Sequence, residues 1–220
     1  CISSAASDVY KRQEIHGINV TVPFKNKVIK YLDKLSLEVE TTDSVNTIYK
    51  SGDDLIGHNT DVAGFELGLR HSKINILHKS ILILGAGGVV PSIIYSLLSM
   101  GCKKIFLSNR TIEKAENIKK KFKEVEVLKW GKIPDFDMVI NATSVGLKGD
   151  SLDLDLKAKD KIFYDIIYNP KETPFLKKAL ENGNKIENGM FMFIYQANQS
   201  FSIWNNVIPK IDDEVLNILG

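Results

Sequence analysis

Three residues in the first sixty or so could move a proton and hold polar groups together: Lys25, Asn46 and Asp61. Lys25 closes the run Asn19-Val20-Thr21-Val22-Pro23-Phe24-Lys25. Residues 18–22 alternate as a half-buried strand does, and Pro23, with no N–H to donate, should end it. A lysine just past a strand end can be held in a cleft as an acid, although a lone lysine is more commonly a solvated cation. Ser44-Val45-Asn46-Thr47 and Gly57-His58-Asn59-Thr60-Asp61 each set a short polar side chain beside an apolar strand, adding an amide and a carboxylate. Asp61 also stands where an N-cap would precede a helix over residues 62–69, which is its structural explanation.

A second centre of chemistry lies later. Ile81-Leu82-Ile83-Leu84 is a continuous apolar run, as expected of a parallel strand covered on both faces. It leads into Gly85-Ala86-Gly87-Gly88-Val89-Val90, an apolar helix over 92–100 and a second strand over 104–108. That strand, glycine turn, helix and strand make a dinucleotide-binding unit. Gly85 permits the tight turn, Gly87 lets backbone approach a pyrophosphate, and the N–H groups of the helix start attract the anion. Pro91 falls in the first turn, where its missing N–H costs little. An NAD site would carry an acid about 20 positions further on. Here the second strand ends in Ser108-Asn109-Arg110-Thr111, with Lys114 one turn later. Arg110 offers a permanent cationic fork for a 2′-phosphate, and Asn109 and Thr111 add hydrogen bonds, so NADP is favoured.

The elements that must position these groups follow from periodicity. Apolar residues at 28, 31, 32 and 35 predict a helix over 25–35. Residues 45–50 and 55–59 flank Ser51-Gly52-Asp53-Asp54 and read as a hairpin. Residues 113–122 predict a charged amphipathic helix with Ala115, Ile118 and Phe122 inward, followed by strands over 138–140 and 162–166. Asn141-Ala142-Thr143-Ser144-Val145-Gly146 then lies at the carboxyl edge of the sheet, where ligands bind α/β proteins. Tyr168-Asn169-Pro170 and Thr173-Pro174-Phe175 punctuate a helix running to residue 180. Residues 188–197 read as a buried helix apolar on nearly every face, so the amide of Gln196 stands out and must find partners. A closing helix is expected over 209–219.

NVTVPFK, VNT and NTD together resemble the substrate domain of the shikimate dehydrogenase family. The resemblance extends through Asn109-Arg110-Thr111, the Asn-Ala-Thr-Ser segment, Asp165, Tyr168, Thr173-Pro174-Phe175 and Tyr195-Gln196-Ala197. It implies reversible hydride exchange between NADPH and the ring ketone of 3-dehydroshikimate, on the route to chorismate and the aromatic amino acids. It further implies Lys25 and Asp61 as the catalytic pair, with Thr21, Asn46, Tyr168 and Gln196 also on the substrate. The cofactor would meet Gly85, Ala86, Gly87, Gly88, Val89, Asn109, Arg110, Thr111, Lys114, Ala142, Thr143, Ser144, Gly189 and Met192. The fold implied is α/β: a Rossmann-type doubly wound NADP domain over 61–189, and a smaller α/β substrate domain over 14–60 and 190–220, with a cleft between. A quinate/shikimate dehydrogenase would share these motifs, and a catalytically silent NADP-binding module would share the glycine turn.

At 220 residues, 44% hydrophobic and 25% charged, the chain suits two modest domains. A formal charge of +2 with scattered lysines argues against nucleic acid. No apolar run approaches the roughly 18 residues that a membrane span needs. Two cysteines without metal-ligand spacing support neither a disulfide framework nor a zinc site. A small-molecule enzyme of the cytoplasm, monomeric or homodimeric, is the expectation. Residues 1–13, CISSAASDVYKRQ, lack periodicity and resemble translated adapter sequence. They are expected to be non-native, which would leave the substrate domain without the family's Ser-x-Ser carboxylate-binding motif.

Overall fold

The computed structural model describes residues 16–212 and 214–216. The expectation for residues 1–13 lies outside the described residues.

The first part of the chain builds a four-stranded sheet from β1 (Gly17–Asn19), β2 (Lys34–Leu35), β3 (Thr47–Ser51) and β4 (Asp54–His58), in the order β1-β3-β4-β2. β3 and β4 form the expected antiparallel hairpin with Ser51 opposite Asp54, and Gly52 takes φ 61° in the two-residue turn. Val20, Val28, Val39, Val45, Ile48 and Leu55 make the small core behind this sheet. The strand expected over 18–22 pairs only as far as Asn19; beyond it, Val20 N–H donates to Asn46 O at 2.7 Å.

Residues 25–35 do not form the helix that their spacing predicts. Turns lead into a single 3₁₀ turn at Ile29–Tyr31, and the chain then extends into β2. The reason is tertiary. Lys34 and Leu35 pair in parallel with Ile56 and Gly57, and Asp33 N–H and Ser36 N–H donate to Leu55 O and Gly57 O, both at 2.9 Å. Those bonds give the backbone partners in place of helical ones, and Val28, Ile29, Leu32 and Leu35 still reach the same core. A short helix that periodicity did not indicate, α1 (Leu37–Thr42), follows.

Helix α2 (Thr60–His71) leads to a six-stranded parallel sheet of β5 (Ser80–Leu84), β6 (Lys104–Ser108), β7 (Val125–Leu128), β8 (Met138–Asn141), β9 (Ile162–Asp165) and β10 (Lys185–Glu187). Its order, β7-β6-β5-β8-β9-β10, reverses direction at β5, the doubly wound arrangement whose switch point opens a crevice at the strand carboxyl ends. Ile81, Leu82, Ile83 and Leu84 are fully buried, facing one core and then the other in alternation. Helices α3 (Val90–Ser99), α4 (Ile112–Lys121) and α5 (Pro174–Glu181) make the crossovers β5–β6, β6–β7 and β9–β10, while β7, β8 and β9 are joined without helices.

The last long helix, α6 (Met190–Asn205), differs from its expected character. Only Met192, Ile194 and Ser200 are buried, while Phe193 and Phe201 are exposed. It lies against α2 along one stripe. A Cβ on Gly64 would stand 2.7 Å from Gln196 Cβ, and one on Gly68 would stand 3.0 Å from Met192 N. These two glycines cost α2 intrinsic helicity and in return let the two backbones approach closely. The helix expected over 209–219 reaches partly outside the described residues; within them, Leu216 N–H donates to Asp212 O in one helical turn.

Candidate active site

Four elements deliver the site. Turns after β1 carry Lys25, the residue before β3 is Asn46, the first turn of α2 holds Asp61, and the middle of α6 holds Gln196. Lys25 Nζ lies 2.5 Å from Asp61 Oδ2, with side chains 16% and 8% exposed. Asn46 Nδ2 donates to Asp61 Oδ1 at 3.0 Å and stands 3.3 Å from Gln196 Oε1. The lysine, amide, carboxylate and glutamine therefore meet at one point, although Gln196 is half-buried rather than enclosed.

Asp61 is not the N-cap of α2. Asn59 is: its Oδ1 accepts from Asp61 N–H at 3.2 Å, leaving both carboxylate oxygens of Asp61 for Lys25 and Asn46. Asn59 Nδ2 also donates to Thr42 Oγ1 and to Ser92 Oγ, both at 2.9 Å and all buried. Ser92 belongs to α3, the helix that follows the glycine turn. One buried amide thus ties the strand that delivers Asp61 to the helix of the nucleotide motif.

The glycine turn has a backbone that other residues could not follow at every position. Gly85 has φ 107°, and a Cβ there would lie 2.7 Å from Ala142 O, so both conformation and space demand glycine. A Cβ on Gly87 would meet only Ala142 O at 3.8 Å, and one on Gly88 would meet nothing within 4 Å. The turn therefore presents bare backbone to open space, ending at α3 with Pro91 in its first turn. Ala86, Gly87 and Gly88 line one wall of a cleft of about 1190 Å³, and Lys25 lines the other with Val22, Pro23 and Phe24. An ion pair between Asp43, after α1, and Lys121, at the end of α4, spans this cleft.

At the end of β6, Asn109 Nδ2 donates to Thr111 O at 2.7 Å. Arg110 and Lys114 are exposed and carry no ion pair among the described residues. A cradle of bare backbone with two uncommitted cations one strand away suits a nucleotide carrying an extra phosphate, and the residues that end β6, 108–111, include no acid to repel it.

The carboxyl edge is held by a buried network. Asn141 Nδ2 lies 3.1 Å from both oxygens of Asp165, and Asn141 Oδ1 accepts from Thr143 N–H at 3.1 Å and Thr143 Oγ1 at 2.7 Å. Asp165 Oδ2 accepts from Thr173 Oγ1 at 2.7 Å, and Thr173 caps α5. Burial pushes the Asp165 carboxyl above the ordinary aspartate range, against the hydrogen bonds from Thr173, Ile167 and Asn141 that favour its charge. Its place is in the scaffold, setting the Ala142-Thr143-Ser144 loop. Gly189 caps α6 against the Ile166 carbonyl, and Met192 packs in the core beside α2. Tyr168 stacks on Phe193 of α6, with ring centroids 4.6 Å apart, less than one helical turn from Gln196. Thr21 is exposed on the segment that leads to Lys25.

Ser200, Thr47 and Thr60 escaped the sequence reading. Their signals were available: Ser200 lies one helical turn beyond Gln196 on the same face of α6, and the threonines adjoin Asn46 and Asp61.

Among known proteins, residues 68–148 match the model of shikimate / quinate 5-dehydrogenase, and residues 2–48 match the shikimate dehydrogenase substrate binding domain. The second match starts at residue 2 and so takes in most of residues 1–13, the stretch set apart by its lack of periodicity. The chain is 52% identical over 212 residues to the shikimate dehydrogenase (NADP(+)) of Pelagibacter ubique, covering 95% of this chain and 80% of that one. Shikimate dehydrogenase from Aquifex aeolicus superposes with TM-score 0.85 at 37% identity, over 95% of this chain and 79% of the other. Shikimate 5-dehydrogenase from Listeria monocytogenes, solved with shikimate and NAD, superposes with TM-score 0.89 at 29% identity, over 99% of this chain and 83% of the other. With models of both halves of the family matched and a relative more than half identical along nearly the whole of this chain, the chain belongs to the shikimate dehydrogenase family.

Proposed function

We propose that this chain is an NADP-dependent shikimate dehydrogenase, reducing 3-dehydroshikimate reversibly to shikimate in chorismate biosynthesis. The observation that carries the reading is the convergence of Lys25, Asp61, Asn46 and Gln196 beside a cleft whose far wall is the glycine turn.

Residues 14–60 with 190–220 are read as the substrate lobe and 61–189 as the nucleotide lobe. Ala86, Gly87, Gly88 and Val89 would hold the pyrophosphate, and Asn109, Arg110, Thr111 and Lys114 the 2′-phosphate end. The loop of Ala142, Thr143 and Ser144, with Gly189 and Met192, would flank the nicotinamide. Bound there, NADPH supplies the hydride. Lys25 supplies the proton to the oxygen on which negative charge develops, and Asp61 holds the ammonium in line. Asn46, Gln196, Thr21 and Tyr168 fix the ring hydroxyls, so that the carbonyl carbon stays within reach. Use of an intracellular reductant supports a cytoplasmic location; a monomer or homodimer is expected.

The test is appearance of NADPH when the purified protein meets shikimate and NADP⁺, run beside quinate and beside NAD⁺. Turnover of shikimate with NADP⁺ is expected to be the fastest of the four combinations. Tight NADP⁺ binding without shikimate turnover would leave a nucleotide-binding module, and faster turnover of quinate would reassign the substrate.

A further inference from the structure

Behind Asn46, away from the cleft, lie three hydroxyls to which the sequence reading gave no role, two of them the threonines of the VNT and NTD stretches. Thr47 (β3), Thr60 (α2) and Ser200 (α6) each have 0% exposure. Their contacts close a ring. Asn46 Nδ2 donates to Thr60 Oγ1 at 2.9 Å, Thr60 Oγ1 lies 3.0 Å from Ser200 Oγ, Ser200 Oγ lies 2.7 Å from Thr47 Oγ1, and Thr47 Oγ1 donates to Asn46 Oδ1 at 3.0 Å. A hydroxyl carries one proton and accepts others. Passing from the amide nitrogen through Thr60, Ser200 and Thr47 to the amide oxygen, Thr60 accepts from Nδ2 and Thr47 donates to Oδ1, while the single Ser200 proton has two acceptors in reach, Thr47 Oγ1 and the Gln196 carbonyl.

The amide cannot be turned over. Thr60 N–H, an unambiguous donor, lies 2.8 Å from Asn46 Oδ1, so the nitrogen must face the other way, toward Asp61. One Nδ2 hydrogen is committed to the ring, and the second points at Asp61 Oδ1 and Gln196 Oε1. Ser200 Oγ is also 3.0 Å from the carbonyl of Gln196, which ties the register of α6 to the same ring.

We propose that Thr47, Thr60 and Ser200 are positioning residues: their ring fixes the Asn46 amide so that its remaining hydrogen holds Asp61 and Gln196 in place for the polyhydroxylated substrate. This rests on the functional reading above. Removing one of these hydroxyls takes away a hydrogen bond that holds the Asn46 amide in a dry site, where chains of hydrogen bonds reinforce one another.

Thr47→Val keeps the shape of the side chain and removes the hydroxyl; Thr47→Ser keeps the hydroxyl. Thr47→Val and Ser200→Ala should each raise the shikimate KM roughly tenfold, the worth of one good hydrogen bond, with the NADP⁺ dissociation constant unchanged. Thr47→Ser should restore the parent KM, and the double variant should cost little more than either single one, because the ring is already open. Shikimate KM values within twofold of an active parent, or a parallel loss of NADP⁺ binding, would overturn the positioning role. A parent inactive on shikimate would defeat the functional reading instead. The ring is then read without turnover, from the side-chain amide resonances of Asn46: their hydrogen exchange should quicken at least tenfold in Thr47→Val and Ser200→Ala, and unchanged exchange would refute it.

Discussion

Replacing Lys25 by methionine removes the ammonium while keeping the length of the side chain. The parent pair is 2.5 Å apart and largely shielded from solvent. A positioned proton donor contributes about 10²–10⁴-fold to rate, which is about 3–5 kcal/mol of transition-state stabilisation. The cost to the fold should be smaller. Breaking a fully buried pair by deleting one partner costs about 3–5 kcal/mol. Here Asp61 keeps its hydrogen bond from Asn46 and sits in the first turn of α2, where the helix dipole favours a negative charge. A loss nearer 1–2 kcal/mol, or roughly 2–8 °C in Tm for a chain of this size, is expected. The assay is steady-state oxidation of shikimate by NADP⁺ beside a thermal melt. Lys25→Met should lower kcat by two to four orders of magnitude while the protein stays folded and binds NADP⁺ as the parent does. A kcat within tenfold of the parent, in a folded variant, would falsify the assignment of Lys25 as proton donor.

Four further outcomes follow from the structure. Gly87→Ala should leave Tm nearly unchanged, because its methyl meets only Ala142 O at 3.8 Å, yet raise the NADP⁺ dissociation constant about tenfold or more by filling the backbone cradle; Gly85→Ala should instead destabilise the fold, measured by melting, because its φ of 107° and the 2.7 Å approach to Ala142 O both exclude a side chain. Arg110→Ala should weaken NADP⁺ binding by about 1.5–3 kcal/mol, the worth of hydrogen bonds to a charged group, and change NAD⁺ binding little; titration with both nucleotides reads the difference, and equal losses would place Arg110 elsewhere than at the 2′-phosphate. Burial lowers the His58 pKa from its usual value near 6.5, with the Glu38 charge opposing, and His58 Nδ1 has no hydrogen-bond partner among the described residues. A base depressed in the folded state contributes stability that is present above its unfolded pKa and lost as pH falls through the folded one. Melts from pH 7.5 down to about 5 should therefore show the parent losing more stability than His58→Leu; parallel curves would exclude His58 as the acid-sensitive group.

Much of the nucleotide side was legible because its signals are local. A continuous apolar run, a glycine turn and an apolar helix encode β5, the bare-backbone cradle and α3 within about twenty residues, and the absence of an acid after β6 is visible in the string itself. The hairpin was equally legible, since Gly52 and Asp53 fix its turn. The stretch 25–35 was misread for the opposite reason. Its spacing is truly helical, but hydrogen bonds to β4, more than twenty residues away, compete for the same backbone. Gly64 and Gly68 look like defects in α2 until α6 is laid against them.

The residue types and their order alone determined which groups could do chemistry: a lysine after a strand, an amide and a carboxylate on a hairpin and a helix start, glycines at a strand end, an arginine where an acid would bar a phosphate. Tertiary structure decided whether they meet and which atoms face each other. It freed Asp61 from capping duty by giving that task to Asn59, and it brought Gln196 and Ser200 across 150 and 153 positions to Asn46 and Thr47. Such contacts depend on how two lobes and a crossing helix pack. That packing depends on close approach and shared burial between distant segments, which no local pattern records.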